Sequence, residues 1–584
     1  MKKKSLTWIL CLSMVLALFA GCGQTEQPTV SSTEPVSSVA EEPAVPSPSA
    51  APTVEGSAED ALPADSVVEE PVEEISEEIN FVQFPFTEEP TTLTVWTRAP
   101  AGNPVVLPGT YSEFEIFQQL EEKSNVHIDW KESTNEGAAT QFNLMCASGD
   151  YTDIITGVNG NYSGGLSKAY EDGIIDDMRD YMNEYAPNYT ALMDANETIY
   201  RECVSDDGSF LAFYTINDEP DMAAGLFIRQ DWLDALGLDM PETYDQLADV
   251  LSAMKNAYDC DYSLLLTESC VVGDSGDLTA GFGVAGFNVK ELNRYHMFIS
   301  EDGKVTSCLI EDGYRDYLAY LNGLYQEGLI GQDFFTISCD PFAGTSDQLI
   351  VNSQSAVFKL NTRGIDNILS TAVDESFAVS PLPNIGKEAG LINHFSDASL
   401  VNTNASASIS TTCANPEAAV MWMDYWYSDE GMLIKNYGVE GISFEYVNGE
   451  PEFTDAVVNN EWGVSPDTAI THYNIQNQLV GRSMTNLTWD YYTELQKTAK
   501  DLWKSTADSQ QVLPGTLTLT TDESEEYASY FGDISTYVAT MIPKFITGDE
   551  SLDDWDAYIA TLEDMGIGNC LDAYQQAYDR YLQR

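Results

Sequence analysis

Positive charge is scarce in this chain. Its 584 residues hold 26 Lys and Arg against 94 Asp and Glu, a formal charge of -68. A surface of that sign repels phosphate backbones, which excludes nucleic acid as a partner. It also disfavours anionic ligands unless the few arginines cluster. Histidine is rarer still. His127, His296, His394 and His472 lie far apart, without the i, i+4 spacing of a helical zinc site. There is no Cys-x-x-Cys and no Gly-x-Ser-x-Gly elbow, so neither a dithiol motif nor a serine-hydrolase nucleophile is signalled. Beyond Cys22 come Cys146, Cys203, Cys260, Cys270, Cys308, Cys339, Cys413 and Cys570, irregularly spaced. A body this large folds without staples, so mostly free, buried thiols are expected, with Cys260 and Cys270 the one local pair able to bridge. The apolar run Leu6–Ala20 is shorter than the roughly 18 residues that span a bilayer.

That run follows Met1-Lys2-Lys3-Lys4 and ends in Phe19-Ala20-Gly21-Cys22. A basic start, a short apolar core and small residues before a cut read as an export signal over 1–21. The cysteine after the cut resembles the bacterial lipobox, with Phe19 where Leu is usual, so Cys22 is the expected lipidation site. Loss of Lys2, Lys3 and Lys4 with the leader takes the charge to -71. Residues 22–90 then form an acylated cysteine and an acidic Pro/Ser/Glu linker. It holds no Lys or Arg and too little apolar mass to offset chain entropy.

About 490 residues follow, too many for one ordinary core, so two lobes are expected. Thr92–Arg98 alternates like a strand, Ser112–Ser124 has helical spacing, and Val126–Trp130 is again a strand. A helix over Ala138–Ala147 and a strand over Asp153–Gly157 complete a strand-helix-strand-helix-strand order. That is an open α/β sheet, whose ligands sit off the carboxyl ends of the strands. Further strands are predicted at Gly225–Arg229, Ala356–Leu360 and Phe377–Pro381. Helices are predicted from Asp231, after Thr243, from Pro416 and through most of the chain beyond Asp490.

Few motifs carry chemistry. Gly281, Gly283 and Gly286 match Gly-x-Gly-x-x-Gly but lack the flanking strand and helix that a dinucleotide needs. Asp206 and Asp207 offer oxygens to calcium without the full loop pattern, so no cofactor is expected beyond that one calcium option. Carboxylates are too abundant to single out a glycosidase pair. Aromatic rings cover the apolar faces of sugars; most tryptophans are core, above all Trp422 and Trp426, four apart on one helix.

Phe227-Ile228-Arg229-Gln230-Asp231-Trp232-Leu233-Asp234-Ala235-Leu236-Gly237-Leu238, with Met240-Pro241-Glu242-Thr243-Tyr244 after it, resembles a segment of the large carbohydrate-binding solute-binding lipoproteins of ABC importers. Tyr437-Gly438-Val439-Glu440-Gly441 resembles the family's Gly-x-Glu-Gly turn, and Asp554–Tyr558, Met565-Gly566 and Tyr574–Arg580 its C-terminal helices. The resemblance implies a two-lobe periplasmic-binding-protein type II-like α/β fold with hinge strands and a mostly helical C-terminal part. One lobe would hold 91–228 and 396–445, the other 229–395 and 446–584, with crossings near Gly225–Arg229, near Ser396–Val401 and after Gly441. It implies a non-enzymatic monomer, lipid-anchored to the outer face of the cytoplasmic membrane. This monomer closes on a sugar and docks on permease subunits. The ligand contacts implied by position are Arg98, Asn159, Tyr162, Tyr214, Arg363 and Glu440. Trp462 and Trp489 are added as loop aromatics. Scarce basic residues favour a neutral sugar. The competing expectations are a surface-anchored glycoside hydrolase and a lipoprotein binding peptides or cationic small molecules.

Overall fold

The computed structural model describes residues 81–584 except 135, 268–276, 288–295, 338–344, 397–398 and 477. Cys22, the leader and most of the linker lie outside the described residues, as do Cys270 and Cys339. The described residues fall within one unit, Glu73–Arg584. In chain order its strands are β1 (Thr91–Arg98), β2 (Val126–Ser133), β3 (Ile154–Thr156), β4 (Phe213–Asn217), β5 (Ala224–Arg229), β6 (Tyr262–Leu264) and β7 (Met297–Ile299). They continue with β8 (Val305–Ser307), β9 (Ser355–Asn361), β10 (Val379–Pro381), β11 (Val401–Ile409), β12 (Phe444–Val447), β13 (Glu450–Phe453) and β14 (Arg482–Ser483).

Two sheets define two lobes. The first runs β14-β4-β11-β3-β1-β2 and the second β10-β5-β9-β6. β1 pairs in parallel with both β2 and β3, through helices Glu115–Ser124 and Ala138–Ser148. This is the open α/β arrangement expected from the sequence. The first lobe buries Leu93, Val95, Phe117, Phe142, Trp422 and Trp426 in one core. The second packs Leu247, Leu251, Tyr317, Leu321, Ile534 and Val538 in another. Helix Tyr244–Tyr258 starts where expected, because the Thr243 side chain accepts from the Gln246 N–H. Thr520 and Glu523 form a reciprocal capping box at the head of the long helix Thr521–Thr547.

The sheets draw the lobe boundaries differently from the sequence. β5 is an inner strand of the second sheet, so the first crossing precedes it, between Asn217 and Ala224, rather than at Gly225–Arg229. The return lies between β10 and β11, which brackets the expected place. The third crossing does not follow Gly441. β14 pairs in parallel with β4 of the first sheet, so 446–483 stays with the first lobe. The chain returns only before helix Glu494–Ser505, whose Ala499 and Trp503 pack on the second sheet with Phe227 and Phe358. The linker also ends earlier than expected. Phe84 and Phe86 pack on Tyr425 at ring separations of 5.8 and 6.3 Å, and the Phe81 N–H donates to Asn188 Oδ1 at 2.9 Å. Residues 81–90 thus belong to the body.

Cys146, Cys203, Cys260, Cys308, Cys413 and Cys570 are free thiols. The Cys260–Cys270 option reaches outside the described residues. Gly281 is explained by packing, since a Cβ there would lie 2.3 Å from the Tyr244 hydroxyl and 2.5 Å from the Ile385 carbonyl.

Candidate functional site

The carboxyl ends of the first sheet's strands open on a cleft of about 600 Å³. β1 delivers Thr97 and Arg98 to it, and the turn after β3 delivers Gly157, Gly160 and Asn161. β4 and β11, which flank the crossings, deliver Thr215, Asn217 and Asn402. The segment around β14 adds Gln476, Gln478, Ser483 and Thr485, and the second-lobe side adds Arg363 and Asp221. Amides and hydroxyls therefore dominate the wall.

These groups are held in place from behind. Gln478 accepts from the Ala101 N–H at 3.2 Å and donates to the Ala101 carbonyl at 2.9 Å, fixing the loop after β1. The Lys435 ammonium is fully buried under the floor and donates to Gln476 O at 2.8 Å and Ser483 Oγ at 2.6 Å. Burial pushes its pKa down to about 7. Arg98 Nη2 donates to Asn161 Oδ1 at 3.3 Å. Arg363 Nε lies 3.5 Å from Asp467, and Asp221 is held by Lys500 at 2.7 Å.

Of the residues expected at the site, Arg98 and Arg363 line this cleft together. Asn159 and Tyr214 line a separate cavity of about 180 Å³ instead. Tyr214 is a core residue of the first lobe, 5 % exposed, because its side chain points away from the cleft on β4. Tyr162 donates to Asp172 at 2.6 Å and packs edge-on to Phe142. Glu440 is exposed in its turn. Trp462 packs on His472 and Tyr473, and Trp489 packs on Tyr492 with Lys497 above its ring. None of these four lines the cleft. Its aromatics are Trp96 and Tyr111, 5 % and 2 % exposed. The calcium option at Asp206 and Asp207 fails on charge. Arg580 and Arg584 bind Asp206 at 2.7 and 2.6 Å, and Asp207 accepts from Ser209. Among the described residues no group of three His, Cys, Asp or Glu is placed to hold a metal. The amides of 476–485 had no motif to announce them; only their density in sequence, Gln476-Asn477-Gln478, is a signal.

Residues 108–259 match the family model of the bacterial extracellular solute-binding proteins. Over that stretch the chain is similar to these extracellular solute-binding proteins. It is a binding protein rather than an enzyme. It is 24% identical over 535 residues to the fructooligosaccharide ABC transporter substrate-binding protein FusA of Streptococcus pneumoniae, covering 86% of this chain and 92% of that one. It is 27% identical over 373 residues to Lipoprotein LipO of Bacillus subtilis, covering 61% and 67%. The solved structure of alginate-binding protein AlgQ2 without calcium ion aligns at a TM-score of 0.64 and 22% identity, over 85% of this chain and 99% of that one. The chain thus shares the fold of that solved structure, and its polar cleft lies at the crossings.

Proposed function

We propose that the protein binds a sugar or oligosaccharide outside the cytoplasm and delivers it, as a monomer, to an ABC permease, tethered through acylated Cys22. The cleft carries this reading. Its volume of about 600 Å³ lies inside the range of small-molecule sites, about 300–1,000 Å³. Amides, hydroxyls and guanidinium groups at the mouth of an α/β sheet suit a ligand made of hydroxyls. The relative named for fructooligosaccharide points the same way. A hydrolase reading loses ground because Asp221 is the one carboxylate among the lining residues and Lys500 holds it; a glycosidase needs two. Among the described lining residues a cationic ligand finds no free carboxylate. The two lobes would close on the ligand, which then favours the closed state.

A thermal-shift screen of oligosaccharides against peptides tests the reading. A ligand at a hundredfold over its dissociation constant adds about 2.7 kcal/mol, and scattering at saturation should show compaction without turnover of the sugar. Stabilisation by peptides alone, or release of smaller sugars, would refute it.

A further inference from the structure

Arg98 stands apart from the other arginines. Every other described arginine lies within 4 Å of a carboxylate, from buried Arg229 on Asp231 to surface Arg179 on Asp177. Arg98, exposed in the cleft, has only the neutral Asn161 amide, at 3.3 Å. In a chain with 94 acidic residues, an arginine that meets none marks a place kept clear of them. Its surroundings agree. The charges of Asp221 and Arg363 are met by Lys500 and Asp467. The Lys435 ammonium under the floor donates only to a carbonyl and a hydroxyl. Arg98 therefore stands in the cleft as a positive charge that no carboxylate meets, within a molecule of charge -68.

We propose that the cleft takes an acidic oligosaccharide, with one carboxylate of a uronic acid unit seated on the Arg98 guanidinium. This rests on the carbohydrate reading above and names its substrate class. A guanidinium presents paired N–H donors that match a carboxylate and bind it more strongly than a hydroxyl. Lobe closure expels water, and a neutral sugar would then leave the Arg98 charge unpaired in a drier site. The repulsive charge of the distant surface is screened beyond about 8 Å at physiological salt. The proposal departs from the neutral ligand expected from the overall scarcity of basic residues, because it weighs the placement of one unpaired arginine above the count.

Calorimetric titration of the full chain with trigalacturonate and trimannuronate, each beside its fully methyl-esterified form, tests this; kestose serves as the neutral control. At least one acid should bind about tenfold or more tightly than its ester, with an affinity that falls as salt rises. Arg98→Gln should weaken binding of the acid far more than that of its ester, so that the preference is lost, and should leave the melting temperature unchanged, since Arg98 is exposed. Equal binding of acid and ester, or a preference that survives Arg98→Gln, overturns the proposal. Binding of kestose without any acid preference overturns it alone and leaves the carbohydrate reading standing. Failure of every sugar to bind overturns both.

Discussion

Asp424 shows how one buried carboxylate joins two helices. It ends helix Pro416–Asp424 and accepts from Asn188 Nδ2 at 2.6 Å, the Asn188 N–H at 3.2 Å and the Tyr189 N–H at 2.8 Å. Those N–H groups belong to the first turn of helix Pro187–Ala195, where no intrahelical acceptor exists. Burial pushes the Asp424 pKa up to about 7, against the pull of these hydrogen bonds. In the unfolded chain the group ionises near 4. Below that, both states hold the proton and the stabilising difference is fully present. As pH rises toward about 7 the unfolded state loses its proton first, so stability is lost across that window. Asp424→Asn cannot ionise, so its denaturation midpoint should change less steeply between about pH 4 and 7 than that of the natural protein. Parallel pH profiles for the two would dispose of this account.

At the level of elements, Gly225 is informative. The family resemblance implies a crossing near Gly225–Arg229, but Gly225 lies in β5, inside the second sheet. A Cβ on it would come 2.3 Å from Trp503 Cε2. Trp503 is buried, and its indole N–H donates to Leu382 O at 3.1 Å, so the ring has nowhere to retreat. The glycine serves the docking of helix Glu494–Ser505 on the sheet rather than backbone freedom. Gly225→Ala should cost about 1–3 kcal/mol in chemical denaturation, the usual penalty of overpacking. An unchanged midpoint would show that the helix can shift freely. The elements themselves were legible in sequence: β1, β2, helix Tyr244–Tyr258 and the C-terminal helices follow alternation, 3.6-residue spacing and caps. The role of Gly225 was not legible, because a close approach between residues almost 280 positions apart leaves no local trace.

At the scale of the whole molecule, the join between linker and body can be tested. Phe84 and Phe86 are half-buried against Tyr425, and the Phe86 N–H donates to Ser124 O at 3.0 Å. A chain beginning at Phe81 should melt higher than one beginning at Thr91, by about 2 kcal/mol of stability, the value of such partial apolar burial. Equal melting temperatures would return 81–90 to the linker. Away from the cleft lining, Arg584 and Arg580 of the C-terminal end reach Asp206. Thr516 Oγ1 donates to the buried Glu202 at 2.7 Å. The lobes are thus also joined beyond the crossings, a contact set that sequence spacing of more than 300 residues conceals.

The sequence by itself determined the α/β lobes and the family resemblance. Each rests on local composition or on a period that a short window carries. Arg98 and Arg363 were expected at the cleft and line it, because Arg98 ends β1 and Arg363 follows β9, at strand ends of the α/β sheets. Only the tertiary structure decided that Tyr214 is core, that 446–483 stays with the first lobe, and that Trp462 and Trp489 pack away from the cleft. It alone put the amides of Gln476 and Gln478 beside Arg98. Strand order, side-chain facing and the partner of each charge depend on which distant segments meet, and the pattern of a single segment does not record that.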